Sequence, residues 1–210
     1  MQRRFLSREQ VPVRVEKRED GTQSIVGYGA VFHREGDDGT EFRLWPGVYE
    51  RVSAGAFNRA LQEGDDVRGL FNHDPDNLLG RTSSGTMSLS VDDVGLRYEI
   101  VMDASDPDHQ RVSAKIDRGD LTGSSFAFQI EGERWDKEGD REVRWIDSVA
   151  LYDVGPVSFP AYEATTTGLR SDDGAAEVRA SYDAWQSGIK ERTDSLNAID
   201  QARLRIAELS

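Results

Sequence analysis

The stretch that decides the fold is Leu121-Thr-Gly-Ser-Ser-Phe-Ala-Phe-Gln-Ile130, together with the residues that follow it as far as Val154. Small, apolar and aromatic residues bounded by turn formers are typical of a buried β-strand, and residues 142–154 contain a second such run. The charged segment Trp135-Asp-Lys-Glu-Gly-Asp-Arg-Glu142 lies between them and carries a Gly-Asp turn signal. The sequence therefore predicts two strands joined by a hairpin.

Strands and turns also dominate the pattern outside this stretch, up to about residue 170. Further strands are predicted where apolar and polar residues alternate, or where β-branched and aromatic runs lie between Gly, Asp and Pro clusters. These strands cover residues 11–17, 24–32, 67–71, 86–91 and 96–102. Two helices are predicted, at residues 54–64 and 106–118, the second with an acidic first turn and a basic last turn.

The pattern changes after residue 170, where the polar segment Ser171-Asp-Asp-Gly174 interrupts the chain. Large side chains then recur at steps of mostly three and four, which is typical of one face of a helix. Arg192 and Arg203 lie on that face and would weaken a simple coiled coil. Two interpretations stay open: a helix packed on the domain, or a separate arm for oligomerisation or docking. We therefore divide the chain into a domain at residues 1–170 and a linker with a helical arm at residues 171–210.

The composition of the 210-residue chain excludes several classes of protein. No cysteine is present, which excludes disulfide scaffolds, thiol catalysis and thiolate zinc sites. Acidic residues outnumber basic ones by 39 to 26, and the net charge of −13 makes nucleic acid an unfavourable partner. No segment approaches the roughly 20 apolar residues of a membrane span, and the N-terminal residues 1–7 lack the apolar part of a secretory signal. We expect an intracellular protein without a membrane or nucleic-acid partner.

Histidine is scarce, since the chain has three: His33, His73 and His109. His73 lies in Leu70-Phe-Asn-His-Asp-Pro-Asp-Asn77, just past a predicted strand, and strand ends next to loops often present reactive groups. His33 and His109 are predicted to be surface residues. A lone histidine is more often structural than catalytic, so His73 needs partners before any chemistry can be assigned to it.

Two adjacent serines, Ser124 and Ser125, lie in the first strand of the hairpin. A serine hydroxyl becomes a nucleophile only when a base such as imidazole lies within hydrogen-bond reach. Because side chains alternate along a strand, only one of the two serines can share a face with a catalytic group. The alternative is that both are small structural residues. An α/β-hydrolase elbow is excluded, because that family needs a histidine after the serine and none follows His109.

Asp153 interrupts the apolar run Ala150-Leu-Tyr-Asp-Val-Gly-Pro-Val-Ser-Phe-Pro-Ala-Tyr162. A buried carboxylate needs a charged or hydrogen-bonding partner, and an imidazole is one candidate. The other interpretation, which these residues alone favour, is a turn aspartate that caps the loop at Gly155-Pro156.

Taken together, these segments resemble the prohead proteases of tailed phages. The resemblance covers about residues 11–170 and rests on five blocks that occur in the family's order. The blocks are Gly27-Tyr-Gly-Ala-Val-Phe32, Pro46-Gly-Val-Tyr-Glu-Arg-Val-Ser-Ala-Gly-Ala-Phe57, Phe71-Asn-His-Asp74 with Leu79-Gly-Arg81, Gly123-Ser-Ser-Phe-Ala-Phe128, and Leu151-Tyr-Asp-Val-Gly-Pro-Val-Ser-Phe-Pro-Ala-Tyr162. The family resembles the herpesvirus assemblin proteases, which implies a mostly β fold with α-helices: a closed antiparallel β-barrel surrounded by helices, here followed by the C-terminal helical arm.

The resemblance implies a serine endopeptidase that acts inside an immature phage capsid in the host cytoplasm. Its expected substrates are the scaffold and the scaffold-like N-terminal arm of the major capsid protein. We also expect a dimer or another homo-oligomer, no cofactor and no metal ion. Residues 171–210 would be a targeting arm that self-cleavage could remove.

Carried onto this chain, the resemblance makes Ser125 the nucleophile, His73 the general base and Asp153 the residue that orients the imidazole. Ser124 occupies a position that is usually hydrophobic in the family, so it is kept as the alternative nucleophile. The third member of the triad is an acid or a second histidine in related proteins. Backbone donors for an oxyanion hole are expected in Ser158–Tyr162.

Two other interpretations of the function stay open on the sequence alone. A non-catalytic β-barrel protein would dock on capsid or scaffold through residues 171–210. A metal-dependent hydrolase would use His73, Asp74 and Asp76, although Pro75 fixes a turn there and no further histidine lies in a ligand pattern.

Overall fold

The computed structural model of the chain describes residues 2–6, 11–158 and 174–208. Strands dominate this part of the chain, and three α-helices accompany them. The strands are β1 (Gln2–Leu6), β2 (Arg14–Lys17), β3 (Gln23–Val31), β4 (Phe42–Trp45), β5 (Val48–Val52), β6 (Arg68–Leu70), β7 (Leu78–Arg81), β8 (Met87–Val91), β9 (Gly95–Val101), β10 (Gly123–Glu138) and β11 (Arg141–Val157). The helices are α1 (Asn58–Glu63), α2 (Pro107–Asp117) and α3 (Ala175–Glu208).

The described strands form one sheet of seven strands and one of four. In the larger sheet the order is β1-β10-β11-β5-β4, and β6 pairs with both β11 and β7. The smaller sheet has the order β2-β3-β9-β8. Most pairs are antiparallel, but β11 pairs in parallel with β5 and with β6.

The expected closed antiparallel barrel is wrong, although the mostly β character with helices is confirmed. A barrel closes when its first and last strands pair. Among the described strands, β1 and β4 end the main path of the larger sheet and β2 and β8 end the smaller one, so neither sheet closes on itself. The apolar faces of the two open sheets instead share one core, to which Tyr98 and Ile100 of β9 and Phe126 and Phe128 of β10 contribute. Apolar surface is therefore buried without any need for the sheet edges to meet.

The predicted hairpin is the longest element pair of the larger sheet. Strands β10 and β11 pair from Gly123 opposite Val157 to Glu138 opposite Arg141. The two-residue turn between them begins with Gly139, whose φ is 62°. Glycine at the first position of such a turn matches the twist of the flanking strands. The strands on either side of the turn signal are thus confirmed, and both extend further than the sequence predicted.

A cluster of buried charges ties β1 to the middle of the larger sheet. The fully buried Glu50 carboxylate of β5 accepts hydrogen bonds from Arg4 Nη2 at 2.7 Å and from Arg144 Nη1 at 2.8 Å. Arg144, on β11, also donates to Glu133 of β10, with its Nε 2.7 Å from Glu133 Oε2. Burial acts to raise the pKa of the Glu50 carboxyl, but Arg4 and Arg144 outweigh burial and hold that pKa below its usual value. Glu50 is therefore an ionised anchor for β1.

Helix α2 begins where its sequence predicts, but its histidine does not lie on the surface. The Asp106 side chain accepts a hydrogen bond of 2.8 Å from the Asp108 N–H and caps the helix. His109 is buried: its Nδ1 accepts from the Asp103 N–H at 2.8 Å and its Nε2–H donates to the Leu79 carbonyl at 2.7 Å. The expectation that His109 is a solvated residue is wrong, because both ring nitrogens are satisfied by backbone groups of neighbouring loops and strands.

Helix α3 confirms the predicted C-terminal helix, which runs for 34 residues. Contacts divide the chain into two compact units, residues 1–173 and 174–210. The predicted linker at residues 171–173 lies outside the described residues. Within the part of the chain that the structure describes, no helix has both the length and the apolar character that crossing a bilayer requires. The role of the arm stays a prediction.

Replacing Glu50 by alanine is expected to lower the free energy of unfolding by about 3 kcal/mol, because the two buried guanidinium groups lose the carboxylate that they share. Urea unfolding followed by circular dichroism measures this difference. Asp120→Ala is the matched control, since Asp120 pairs with Arg118 on the surface and such a pair contributes about 1 kcal/mol or less. Equal stabilities of the two variants would contradict the role given to Glu50.

The contribution of Glu50 to stability is also expected to depend on pH. Because its folded-state pKa lies below its unfolded value, the stabilisation is complete above the ordinary carboxyl pKa of about 4.3 and is lost as the pH falls through the lowered value. The free-energy difference between the wild type and Glu50→Gln should therefore be constant near neutral pH and shrink in acid. A difference that stays constant down to about pH 2 would show that the charge of Glu50 is not the stabilising feature.

Candidate active site

The register of β10 on β11 places Ser125 and Asp153 on one face of the sheet. Ser125 lies opposite Gly155, and Ala127 lies opposite Asp153. Directly opposed residues of an antiparallel pair share a face, and so do residues two apart along a strand. These four residues therefore point to the same side, and Ser125 and Asp153 are diagonal neighbours.

Gly155 allows β6 to approach β11 beside this pair. A Cβ atom built at Gly155 would lie 2.0 Å from the Leu70 carbonyl oxygen, so any larger residue would push β6 away. Strand β6 runs parallel to β11, with Arg68 opposite Asp153 and Gly69 opposite Val154. The chain that leaves β6 therefore emerges at the end of β11 near the side chains of Ser125 and Asp153.

His73 is carried by the tight loop that follows β6. Asn72 and His73 both have left-handed backbone conformations, with φ of 60° and 57°. Such a conformation is uncommon for residues other than glycine, although asparagine, aspartate and histidine adopt it more often than most, and non-glycine examples are enriched at functional sites. Bonds to β11 and to the residue after it hold the loop: the Asn72 N–H donates to the Pro156 carbonyl at 3.0 Å and the Ser158 N–H donates to Asn72 Oδ1 at 2.7 Å. The loop is thus fixed against β11 immediately before the imidazole.

The imidazole of His73 bridges the two side chains of the hairpin. Its Nδ1 lies 2.5 Å from Asp153 Oδ1, and its Nε2 lies 2.6 Å from Ser125 Oγ. The His73 and Asp153 side chains are almost completely shielded, with 4% and 7% of their surfaces exposed. The structure therefore brings His73, Ser125 and Asp153 together in one hydrogen-bonded chain.

This arrangement can perform general-base chemistry. A carboxylate only accepts, so Nδ1–H of His73 donates to Asp153 and leaves Nε2 as the acceptor that faces Ser125. An imidazole held in that tautomer can take the proton of a serine hydroxyl as the oxygen attacks an acyl carbon. The low exposure of the three groups strengthens their interactions by excluding water.

Ser124 points to the opposite face of β10, as alternation requires. Its Oγ lies 2.8 Å from the hydroxyl of Tyr98, which is fully buried in the core. Burial raises the pKa of the Tyr98 phenol, so this partner is a neutral hydroxyl and cannot act as a base for Ser124. The geometry favours Ser125 over Ser124 as the reactive residue.

The predicted oxyanion donors are tested by the structure at one residue. The Ser158 N–H is bound to Asn72 Oδ1, and residues 159–162 lie outside the described residues. Ser158 therefore supports the loop that carries His73, and the oxyanion hole stays a prediction.

The proposed metal ligands do not gather into a site. Both ring nitrogens of His73 face Asp153 and Ser125, and Asp74 Oδ1 accepts from the Asp76 N–H at 3.0 Å. Within the described residues, no group of three or more histidine, aspartate or glutamate side chains is arranged to hold a metal ion.

Sequence reasoning missed three residues that shape the site: Asn72, Gly155 and Arg4. Asn72 carried a usable signal, because asparagine tolerates the left-handed conformation better than most residues. The sequence predicts a loop at Gly155 and Pro156, whereas both lie in β11. Arg4 carried no signal, since a charged residue near the N-terminus gives no reason to expect a buried strand.

The family of the chain follows from comparison with known proteins. A sequence model of the caudovirus prohead serine protease family matches residues 9–178. No match is found among curated proteins or solved structures. The matched range includes His73, Ser125 and Asp153, and it confirms the resemblance drawn from the sequence. The chain therefore belongs to the caudovirus prohead serine protease family.

Proposed function

We propose that the chain is the endopeptidase of capsid maturation, with Ser125 as nucleophile, His73 as general base and Asp153 as the residue that orients the imidazole. The observation that carries this proposal is the hydrogen-bonded chain from Asp153 through His73 to Ser125. The distance of 2.6 Å between His73 Nε2 and Ser125 Oγ is within the reach of a general base, and the contact of 2.5 Å between His73 Nδ1 and Asp153 Oδ1 supports an orienting role for Asp153. Membership of a serine protease family supports the same assignment.

In the acylation step, Ser125 Oγ attacks the carbonyl carbon of the scissile peptide bond while its proton passes to His73 Nε2. The tetrahedral intermediate collapses when the C–N bond breaks and His73 returns the proton to the leaving amine. Asp153 accepts the Nδ1–H throughout and stabilises the imidazolium that forms between the two transfers.

In the deacylation step, water attacks the acyl-Ser125 ester as His73 Nε2 removes one of its protons. The ester bond breaks, the proton returns to Ser125 Oγ and the new carboxyl terminus leaves. His73 thus acts once as base and once as acid in each half of the reaction, which its position between Asp153 and Ser125 allows.

The substrates that we propose are proteins of the immature capsid, as the family indicates. Within that class, the scaffold and the N-terminal arm of the major capsid protein are the specific candidates. Residues 171–210 would bring the protease into the assembling particle, and the long helix α3 supports an extended docking element. A dimeric or oligomeric state and self-removal of this arm stay predictions.

Ser125→Ala is expected to abolish cleavage, because removal of a triad nucleophile costs about 10⁶-fold in rate. Ser124→Ala is the matched control: it removes the adjacent hydroxyl on the other face and loses one hydrogen bond to Tyr98, so it should retain cleavage. Co-expression of each full-length variant with the major capsid protein and scaffold, followed by intact-mass analysis of the fragments, makes the measurement. Loss of cleavage in the Ser124 variant alone would assign the nucleophile to Ser124.

Asp153→Asn is expected to lower the cleavage rate by about 10⁴-fold while the fold is retained, because an amide no longer holds His73 in the productive tautomer. Initial rates on a fluorogenic peptide that contains a mapped cleavage site measure the effect. Asp140→Asn is the control, since Asp140 lies exposed in the turn at the far end of the same hairpin. A rate within about tenfold of the wild type would show that Asp153 does not orient the base.

A further inference from the structure

Strand β1 covers the hydroxyl of Ser125. It pairs antiparallel with β10, from Gln2 opposite Phe128 to Leu6 opposite Ser124. Ser125 has no exposed surface, and its Oγ lies within 2.8 Å of the Arg4 carbonyl oxygen, to which it can donate. A peptide substrate has to bring a carbonyl group to this same hydroxyl, so β1 and a substrate cannot occupy the place together.

Strand β1 occupies an edge position in the larger sheet. In the described part of the larger sheet, β1 is a terminal strand whose neighbour is β10. Without β1, the edge of β10 at Ser124–Phe128 would present free backbone N–H and C=O groups, which are a template for another extended segment. The family match begins at residue 9, after β1. Strand β1 thus lies on the edge as an addition to the part of the chain that defines the family.

The contact with β1 opposes activation of the serine. The Ser125 hydroxyl has one proton but two acceptors within reach, His73 Nε2 at 2.6 Å and the Arg4 carbonyl oxygen at 2.8 Å. When the proton points to the Arg4 carbonyl, it is not directed at His73 Nε2, and Nε2 can then hydrogen-bond to Ser125 Oγ only as a donor, which requires the imidazolium form because Nδ1–H already donates to Asp153. In that arrangement the imidazole cannot accept the proton of the nucleophile.

The Arg4 side chain holds β1 in this register. Its Nη2 and Nε donate to the two oxygens of the Glu50 carboxylate, the first at 2.7 Å. This bidentate geometry matches a guanidinium better than an ammonium group. The Arg4 guanidinium also lies 5.5 Å from the centre of the Phe128 ring, which favours a cation. The Arg4 side chain lies on the Phe126 face of β10, opposite to the face of Ser125, and the pocket there contains a buried carboxylate shaped for arginine.

Departure of β1 would remove one of the two cationic partners of this carboxylate. Arg144 Nη1 lies 2.8 Å from Glu50 Oε2 and belongs to β11, so it stays in place. Glu50 would then keep Arg144 as its partner and lack the ion pair with Arg4. A buried carboxylate in that state favours a basic side chain and disfavours an acidic or apolar one, because only the former replaces the lost ion pair.

We propose that the β10 edge beside Ser125 is the substrate groove, that it binds an extended peptide in the register of β1, and that Glu50 selects arginine at the residue whose carbonyl faces Ser125. Strand β1 is the intramolecular occupant of this groove and keeps the protease latent until a substrate displaces it. The inference rests on the proposed function, since it assigns the substrate class of the same site.

A peptide-binding measurement tests the groove without using catalysis. The probe is a fluorescein-labelled, end-capped peptide with the sequence of residues 2–6, and fluorescence anisotropy reports its binding. The host is the full chain with Ser125→Ala, which prevents turnover, combined with Arg4→Met, which loosens β1. If circular dichroism shows that this host does not fold, Arg4→Lys replaces Arg4→Met, because it keeps the charge but loses the bidentate contact.

Two substituted peptides give the specificity. Glutamine in place of the arginine that corresponds to Arg4 should weaken binding by about tenfold or more, whereas glutamine at the position of Arg3 should change it by less than about threefold. The host with Arg4→Met should bind the parent peptide at least about tenfold more tightly than the chain that carries Ser125→Ala alone, because an intact β1 competes from a high effective concentration. Arg3→Met is the matched host control and should bind like the chain with Ser125→Ala alone.

Equal effects of the two glutamine peptides would overturn the role of Glu50, and equal binding by the two hosts would overturn the role of β1. Both results can be obtained whether or not the wild type is active. If the peptides bind as expected but the wild type never cleaves a substrate, the proposed function is contradicted and the proposed groove is supported. If the wild type cleaves its substrate but the peptides do not bind as expected, the proposed groove is contradicted and the proposed function is supported.

Discussion

The antiparallel register of β10 on β11 sets Ser125 opposite Gly155 and Ala127 opposite Asp153. A slip of one residue in β10 would turn Ser125 into the core and bring Ser124 to the face of Asp153, because side chains alternate along a strand. The same register brings Gly155 to the point where β6 approaches most closely, and β6 leads directly into the loop of His73. The side chains of His73, Ser125 and Asp153 come from distant parts of the sequence, and they meet because β10 and β11 pair in this register.

Strand β1 connects the stability of this sheet with the accessibility of its site. One residue, Arg4, supplies the guanidinium that binds the buried Glu50 and the carbonyl that meets Ser125. A buried ion pair is costly to break but adds little over an apolar pair of the same shape, so its value here is the fixed register that it gives β1. A strand held at the edge of the sheet by its pairing with β10 and by this ion pair can be exchanged for another segment with the same chemistry. For a protease that acts on an assembling capsid, this would keep Ser125 covered until a suitable chain competes.

Much of the fold and the site could be predicted from the sequence, and the failures have physical causes. Composition and turn signals were sufficient for the β10–β11 hairpin. The ordered motifs pointed to His73, Ser125 and Asp153, which the structure brings into one hydrogen-bonded chain, while their catalytic roles stay a proposal. Strand β1 was missed because its arginines resemble a solvated segment, and their burial depends on the distant Glu50. The predicted barrel was wrong because closure depends on which sheet edges pair. The parallel pairing of β11 with β5 and β6 has no signal in the sequences of these three strands.

The central claim is that His73 activates Ser125 and not Ser124. Fluorophosphonate labelling of the full-length chain, with the adduct located by tandem mass spectrometry, tests it directly. The Arg4→Met variant is labelled in parallel, so that a reactive serine is still detected if β1 blocks access of the reagent in the wild type. The account predicts one adduct, on Ser125, which forms faster in Arg4→Met. An adduct on Ser124, or none on either serine in both folded proteins, would contradict it.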